Sequence, residues 1–177
     1  MGTGEQFTGK TRSAQRPIWD SFKVAGAAAL NTNATTALFT SNQVNKSGVT
    51  GDVCNMRQAG SLPAGHRHMV TAIRIEMLST TLADLFAMLQ FTWIRFLYSG
   101  TPVWEATLSY AAGGMGIVGG DSNGVADPRA ILYFDLQPIK IEGTVPIELD
   151  VITAGTGNAT TAFFMRAYLD GVYTEPT

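Results

Sequence analysis

His66 and His68 are the only two histidines in the chain, and a single residue separates them. On a strand, alternation would point both imidazoles to one face. Two imidazoles on one face are the start of a divalent-metal site. They follow the turn-rich run Gly60-Ser61-Leu62-Pro63-Ala64-Gly65, so the pair stands where a loop enters a strand. The nearest downstream acid is Glu76, which makes His66, His68 and Glu76 the only ligand set on offer. The plainer reading is two polar residues at a loop-to-strand junction. Cys54 is the sole cysteine. It cannot form an internal disulfide, and as a nucleophile it would need His66 or His68 as its base.

The spacing from Gly60 to His68 is similar to the G-x5-H-x-H opening of the cupin metal motif. That resemblance implies a jelly-roll enzyme with a bound metal. The chain departs from the pattern beyond it. The family's glutamate would fall at Ala72 or Ile73, and its later histidine has no counterpart because only two histidines exist. Other chemistry is less well supplied. The sequence holds no G-x-S-x-G, HExxH or phosphate-binding loop. Gly113, Gly114, Gly116, Gly119 and Gly120 are not followed by a helical pattern with a lysine, as a phosphate cradle requires. Asp121, Asn123 and Asp127 offer oxygens without EF-hand spacing. Trp93, Trp104 and the tyrosines could stack on sugars, as in a carbohydrate-binding or spike jelly-roll module, but all except Tyr173 lie inside strand patterns, where aromatics pack cores.

The elements that must position these residues are mostly strands. Residues 69–78 alternate, with Val70, Ala72 and Arg74 on one face and Met69, Thr71, Ile73, Ile75 and Met77 on the other. Residues 20–24, 35–40, 91–98, 103–110, 130–136, 139–152 and 160–173 also read as strands, the sixth of these splitting around Glu142-Gly143. Ser99-Gly100-Thr101-Pro102 makes a hairpin turn of the third and fourth. Leu82, Leu85, Phe86 and Leu89 follow a helical stripe, so one short helix is expected over residues 79–90. Residues 111–129 hold six glycines and read as a long loop. About eight strands, one short helix and no βαβ alternation predict an all-β chain, an antiparallel β-sandwich and most simply a single jelly roll.

Composition then limits the partners. Twelve Lys and Arg face 14 Asp and Glu, and charged residues make up 15% of the chain, well below the ~25% of an average soluble domain. Near-neutral charge argues against specific nucleic-acid binding. The deficit is local: residues 79–120 carry only Asp84, Arg95 and Glu105. A face poor in charge is inexpensive to desolvate, and interface cores are depleted in charge and enriched in Met and aromatics. The first 19 residues contain Lys10, Arg12 and Arg16 against Glu5 and read as a flexible N-terminal arm preceding a jelly-roll domain at 20–177. Met1 to Arg16 lacks the apolar core of a secretory signal. The most apolar run, 82–98, contains Asp84, Gln90 and Arg95 and is too short and too polar to span a bilayer.

Two stretches carry a further likeness. Leu136-Gln-Pro-Ile139-Lys-Ile-Glu-Gly-Thr-Val-Pro-Ile147-Glu-Leu-Asp, and Phe164-Met-Arg-Ala-Tyr-Leu-Asp170-Gly171-Val172-Tyr-Thr-Glu-Pro176, resemble the closing strands of single-jelly-roll capsid proteins of tailless, membrane-containing icosahedral phages. The similarity spans residues 69–177 and rests on strand order, the late Leu-Asp-Gly-Val turn and chain size. It implies a shell subunit in a virion, self-assembling into an icosahedral capsid with copies of itself, beside a second capsid protein and over a viral membrane. It implies no catalytic residues and no cofactor. On this reading Arg12, Arg16, Trp19 and Phe22 are the arm's contact residues. Gly114 and Gly119, in the glycine-rich loop, are candidates for contact between subunits.

Overall fold

In the computed structural model the described residues are 11–24, 34–40, 54–79, 82–110, 116–118, 129–153 and 163–176. They form β1 (Thr11–Gln15), β2 (Ile18–Val24), β3 (Ala34–Leu38), β4 (Arg67–Ser79), α1 (Leu82–Phe91), β5 (Thr92–Tyr98), β6 (Thr101–Thr107), a single 3-10 turn at Leu108–Tyr110, β7 (Gly116–Val118), β8 (Arg129–Glu142), β9 (Ile147–Thr153) and β10 (Phe163–Pro176).

Two antiparallel sheets result. One runs β1-β10-β4-β8-β7, with β2 also on β10, and the other runs β3-β9-β5-β6. β1 and β2 lie end to end along one edge of β10, meeting residues 172–176 and 163–169 respectively. Counted together they are the first of eight long strands, and the pairing is nested. First pairs with last, β3 with β9, β4 with β8 and β5 with β6. A long hairpin wrapped on itself gives this order, and it is the jelly roll.

The core lies between the sheets. Ile94 and Phe96 of β5, Leu149 and Val151 of β9, Ile73, Ile75 and Met77 of β4, Leu132 of β8, and Met165, Ala167 and Leu169 of β10 are all buried. α1 covers one end through Leu85, Met88 and Leu89, with Leu108 of the 3-10 turn buried beside it. Phe86, assigned above to the same stripe, faces outward and is 48% exposed. The hairpin between β5 and β6 closes on Ser99 and Gly100, both with positive φ, the geometry of a two-residue type I′ turn.

Sequence expectations meet the structure unevenly. Of the arm expected over 1–19, residues 11–15 and 18–19 pair along β10 as part of the main sheet, and residues 1–10 lie outside the described residues. The sequence misses this because a short polar strand has no apolar alternation to announce it. The glycine-rich stretch contains β7, paired with β8. β8 runs unbroken through Pro138 to Glu142.

The alternation of β4 also changes phase. His68, Val70 and Ala72 are buried, and so are Ile73, Ile75 and Met77. The register shifts between Val70 and Ala72, where the partner on β8 jumps from Ile139 to Asp135. A bulge of this kind swaps which face a residue meets. β10 shifts at the same level, between Asp170 and Gly171, and β1 gives way to β2 at Arg16-Pro17. The larger sheet is therefore creased along one line.

Candidate functional site

The crease opens a groove of about 400 Å3 on the outer face of the larger sheet, lined by Gln15, Arg16, Pro17, Thr71, Arg74, Tyr133, Asp170 and Gly171. At its floor Arg74 holds Asp170 through two N–H donors, at 3.0 and 3.4 Å. The same guanidinium lies 3.7 Å from the centroid of the Tyr168 ring. Both contacts follow from register: Trp19, Tyr168, Arg74 and Tyr133 are successive partners across β2, β10, β4 and β8. The next row along carries Arg166, whose guanidinium lies over the rings of Trp19 at 4.8 Å and Phe164 at 5.1 Å. Burial works to lower the Arg74 pKa, but the hydrogen bond and charge of Asp170, with the Tyr168 hydroxyl, outweigh it and hold the cation above its already high usual range. The outer face is thus a ladder of cations on aromatic rings, with Tyr133 41% exposed at its end.

Around the edge of the sheet, a second groove of about 190 Å3 is lined by Arg12, Ala14, Arg16, Tyr173 and Glu175. Arg16 lies 5.5 Å from the Tyr173 ring centroid, and Glu175 pairs with Arg57 at 3.5 Å. Arg12 and Arg16 are therefore brought together. Trp19 stands apart from them, under Arg166. Phe22 is placed in β2 opposite Met165. Gly114 and Gly119 lie outside the described residues.

The histidines meet at Tyr173. Their ring centroids are 5.6 Å (His66) and 5.9 Å (His68) from its own. The Tyr173 hydroxyl is 2.7 Å from His66 Nδ1, and burial raises that phenol above its usual range. His68 is fully buried. Its Nε2 lies 2.9 Å from the Leu169 carbonyl, so Nε2 carries the hydrogen. Glu76 does not join them. It sits eight residues farther along β4, about 25 Å at the rise of a strand, where its carboxylate accepts from the Tyr168 hydroxyl at 3.1 Å. His66, His68 and Glu76 do not converge, and no group of three or more His, Cys, Asp or Glu among the described residues is arranged to hold a metal ion. Cys54 bridges to Asp20 on the edge of β2 and packs against the core.

A third feature is apolar. Phe86 of α1 (48% exposed), Val103 of β6 (42%) and Tyr110 of the 3-10 turn (76%) protrude from neighbouring elements. β6 is an edge strand and carries a single charge, Glu105.

Sequence reasoning missed Arg74 and Asp170 as site residues, and offered Tyr173 only as a sugar-stacking aromatic. The available signal was the outward face of the last strand, where Phe164, Arg166, Tyr168 and Asp170 mix aromatic and charged side chains. No helix among the described residues is long and apolar enough to cross a membrane. The fold and these surfaces define a single-jelly-roll β-sandwich protein. No protein-family model matches the chain, and no curated protein matches it in sequence.

Proposed function

We propose that this chain is a structural subunit of a viral capsid, self-assembling with copies of itself through charge-poor surfaces of the jelly roll. The observation that carries the reading is the apolar trio Phe86, Val103 and Tyr110 beside an edge strand with one charge. An edge strand offers unpaired backbone donors and acceptors, and single-chain proteins ordinarily guard it with lysines or a cover. β6 has no lysine. Placing the same surface against another copy removes apolar area from water without burying unpaired charge. The likeness of residues 69–177 to single-jelly-roll phage capsid proteins supports the same reading, and with it a second shell protein and an underlying viral membrane as partners.

Light scattering across protein concentration and salt tests it. The expected result is growth of particle mass with concentration, persisting at high salt because the contact is apolar. A strictly monomeric protein under every condition overturns it.

A further inference from the structure

The smaller sheet carries a cluster of charges that the assembly reading does not use. Ala37, Asp150, Arg95 and Glu105 form one row across β3, β9, β5 and β6. Asp150 is only 3% exposed. Both Arg95 donors converge on a single oxygen of it: Nε lies 3.2 Å and Nη2 2.7 Å from Oδ2. The other oxygen, Oδ1, is buried and has no hydrogen-bond partner. A buried carboxylate oxygen without a donor is costly, so a hydrogen should be supplied from somewhere. Glu148 is two residues away on the same strand and therefore on the same face.

We propose that Glu148 keeps its proton and donates it to Asp150 Oδ1, so that the two form a carboxylic acid–carboxylate pair that fastens the smaller sheet in acid and loosens as it is neutralised. Arg95 then grips one oxygen of Asp150 and the Glu148 hydroxyl the other, which satisfies the whole group. The Glu148 carboxyl is held above its ordinary range, first by the hydrogen bond to Asp150, then by burial and by the Asp150 charge, with Arg95 opposing. The charged groups facing the pair are Arg95 from β5 and, through Arg95, Glu105 from β6. From β3 the facing residue is Ala37. The only other titratable group on β5 near this end of β9 is Tyr98, opposite Ile147.

The sign follows from linkage. Glu148 binds its proton more tightly folded than unfolded. Its contribution is complete below the ordinary glutamate value, about 4.3, and is lost as pH rises through the raised folded value. This inference does not depend on assembly and concerns the fold of one subunit.

Carboxyl carbon-13 NMR of the full chain tests it directly. The Glu148 carboxyl should titrate clearly above the ordinary glutamate value, and in Asp150→Asn its midpoint should fall to that value or below. A midpoint at or below the ordinary value in the unaltered chain overturns the proposal, and so does an unchanged midpoint in Asp150→Asn. Glu148→Gln provides a second measurement, because its amide can donate to Oδ1 at any pH. The melting temperature of the unaltered chain minus that of Glu148→Gln should fall as pH rises from about 4.3 through the raised Glu148 midpoint. A flat difference overturns the proposal as well.

Discussion

The Asp20 carboxylate accepts a hydrogen bond from the Phe39 backbone N–H at 2.5 Å, and this contact joins the two sheets. Asp20 lies on β2 of the larger sheet, while Phe39 directly follows β3 of the smaller one. Phe39 has a φ of 67°, a left-handed conformation that a bulky residue adopts only when its surroundings enforce it. Its carbonyl accepts from the Gly60 N–H at 2.9 Å, and its ring is fully buried. The strain is therefore held from three sides.

Asp20→Ala should destabilise the chain by about 2–4 kcal/mol, because buried N–H groups of Phe39 and Ser21 lose their acceptor. Urea unfolding followed by tryptophan fluorescence measures it, and Asp20→Asn should recover part of the loss. An Asp20→Ala chain as stable as the parent would show that the contact does not tie the sheets.

Gly171→Ala should be among the most damaging single-methyl additions. A Cβ there would press into the Met69 carbonyl, and at Gly143 it would press into the Pro63 carbonyl. Backbone cannot yield as a flexible side chain can, so each substitution should cost about 3 kcal/mol. Gly100→Ala meets no atom within 4 Å but has a φ of 74°, so its cost should be about 1 kcal/mol from strain alone. Thermal unfolding of the three variants should give that ranking.

Acid should act through His68. Burial holds its imidazole below the usual value, outweighing the carbonyls of Leu169 and Val172 and the charge of Asp170. A depressed histidine stabilises the fold above its unfolded value, about 6.5, and that contribution is lost as pH falls through the lowered folded value. His68→Leu, which cannot charge, should unfold at a lower pH than its own neutral stability would otherwise dictate. A pH titration of near-ultraviolet circular dichroism reads the midpoint. An unmoved midpoint would place the acid sensitivity elsewhere.

Val103→Lys and Phe86→Lys should reduce self-association while changing stability by no more than about 0.5 kcal/mol, since both are exposed surface positions. Sedimentation velocity with a parallel melting curve separates the two effects. Unchanged association would move the proposed contact away from α1 and β6.

The sandwich was legible because most of its strands obey a period of two. Ile73, Ile75 and Met77 bury one side of β4, and Met165, Ala167 and Leu169 one side of β10. The bulge opposite Thr71 was not legible, since a register shift leaves composition unchanged. Reading 69–78 as one unbroken alternation put Val70 and Ala72 on the wrong side. β1 was hidden for another reason: all five of its residues are exposed, so no burial pattern marks it. The histidine pair was legible as a cluster but not as to its partner, because Tyr173 lies about a hundred residues away and meets His66 only through strand pairing. The charged groups of the crease share that difficulty. Arg74 and Asp170 are ordinary outward residues until β4 and β10 are laid side by side.

The nested pairing sets the order in which a growing chain can fold. β10 comes latest of the described strands, yet it lies inside the larger sheet, between β1 and β2 on one side and β4 on the other. Until the ribosome releases residues 163–176, β4 has an open flank and β1 and β2 have nothing to pair with. Its core-facing residues Ile73, Ile75 and Met77 then lack their neighbours Leu169, Ala167 and Met165 on β10. Pairing of first with last also places folding at the slow, high-contact-order end. The nascent chain is most adhesive while β4 is exposed and β10 is not yet available to pair with it.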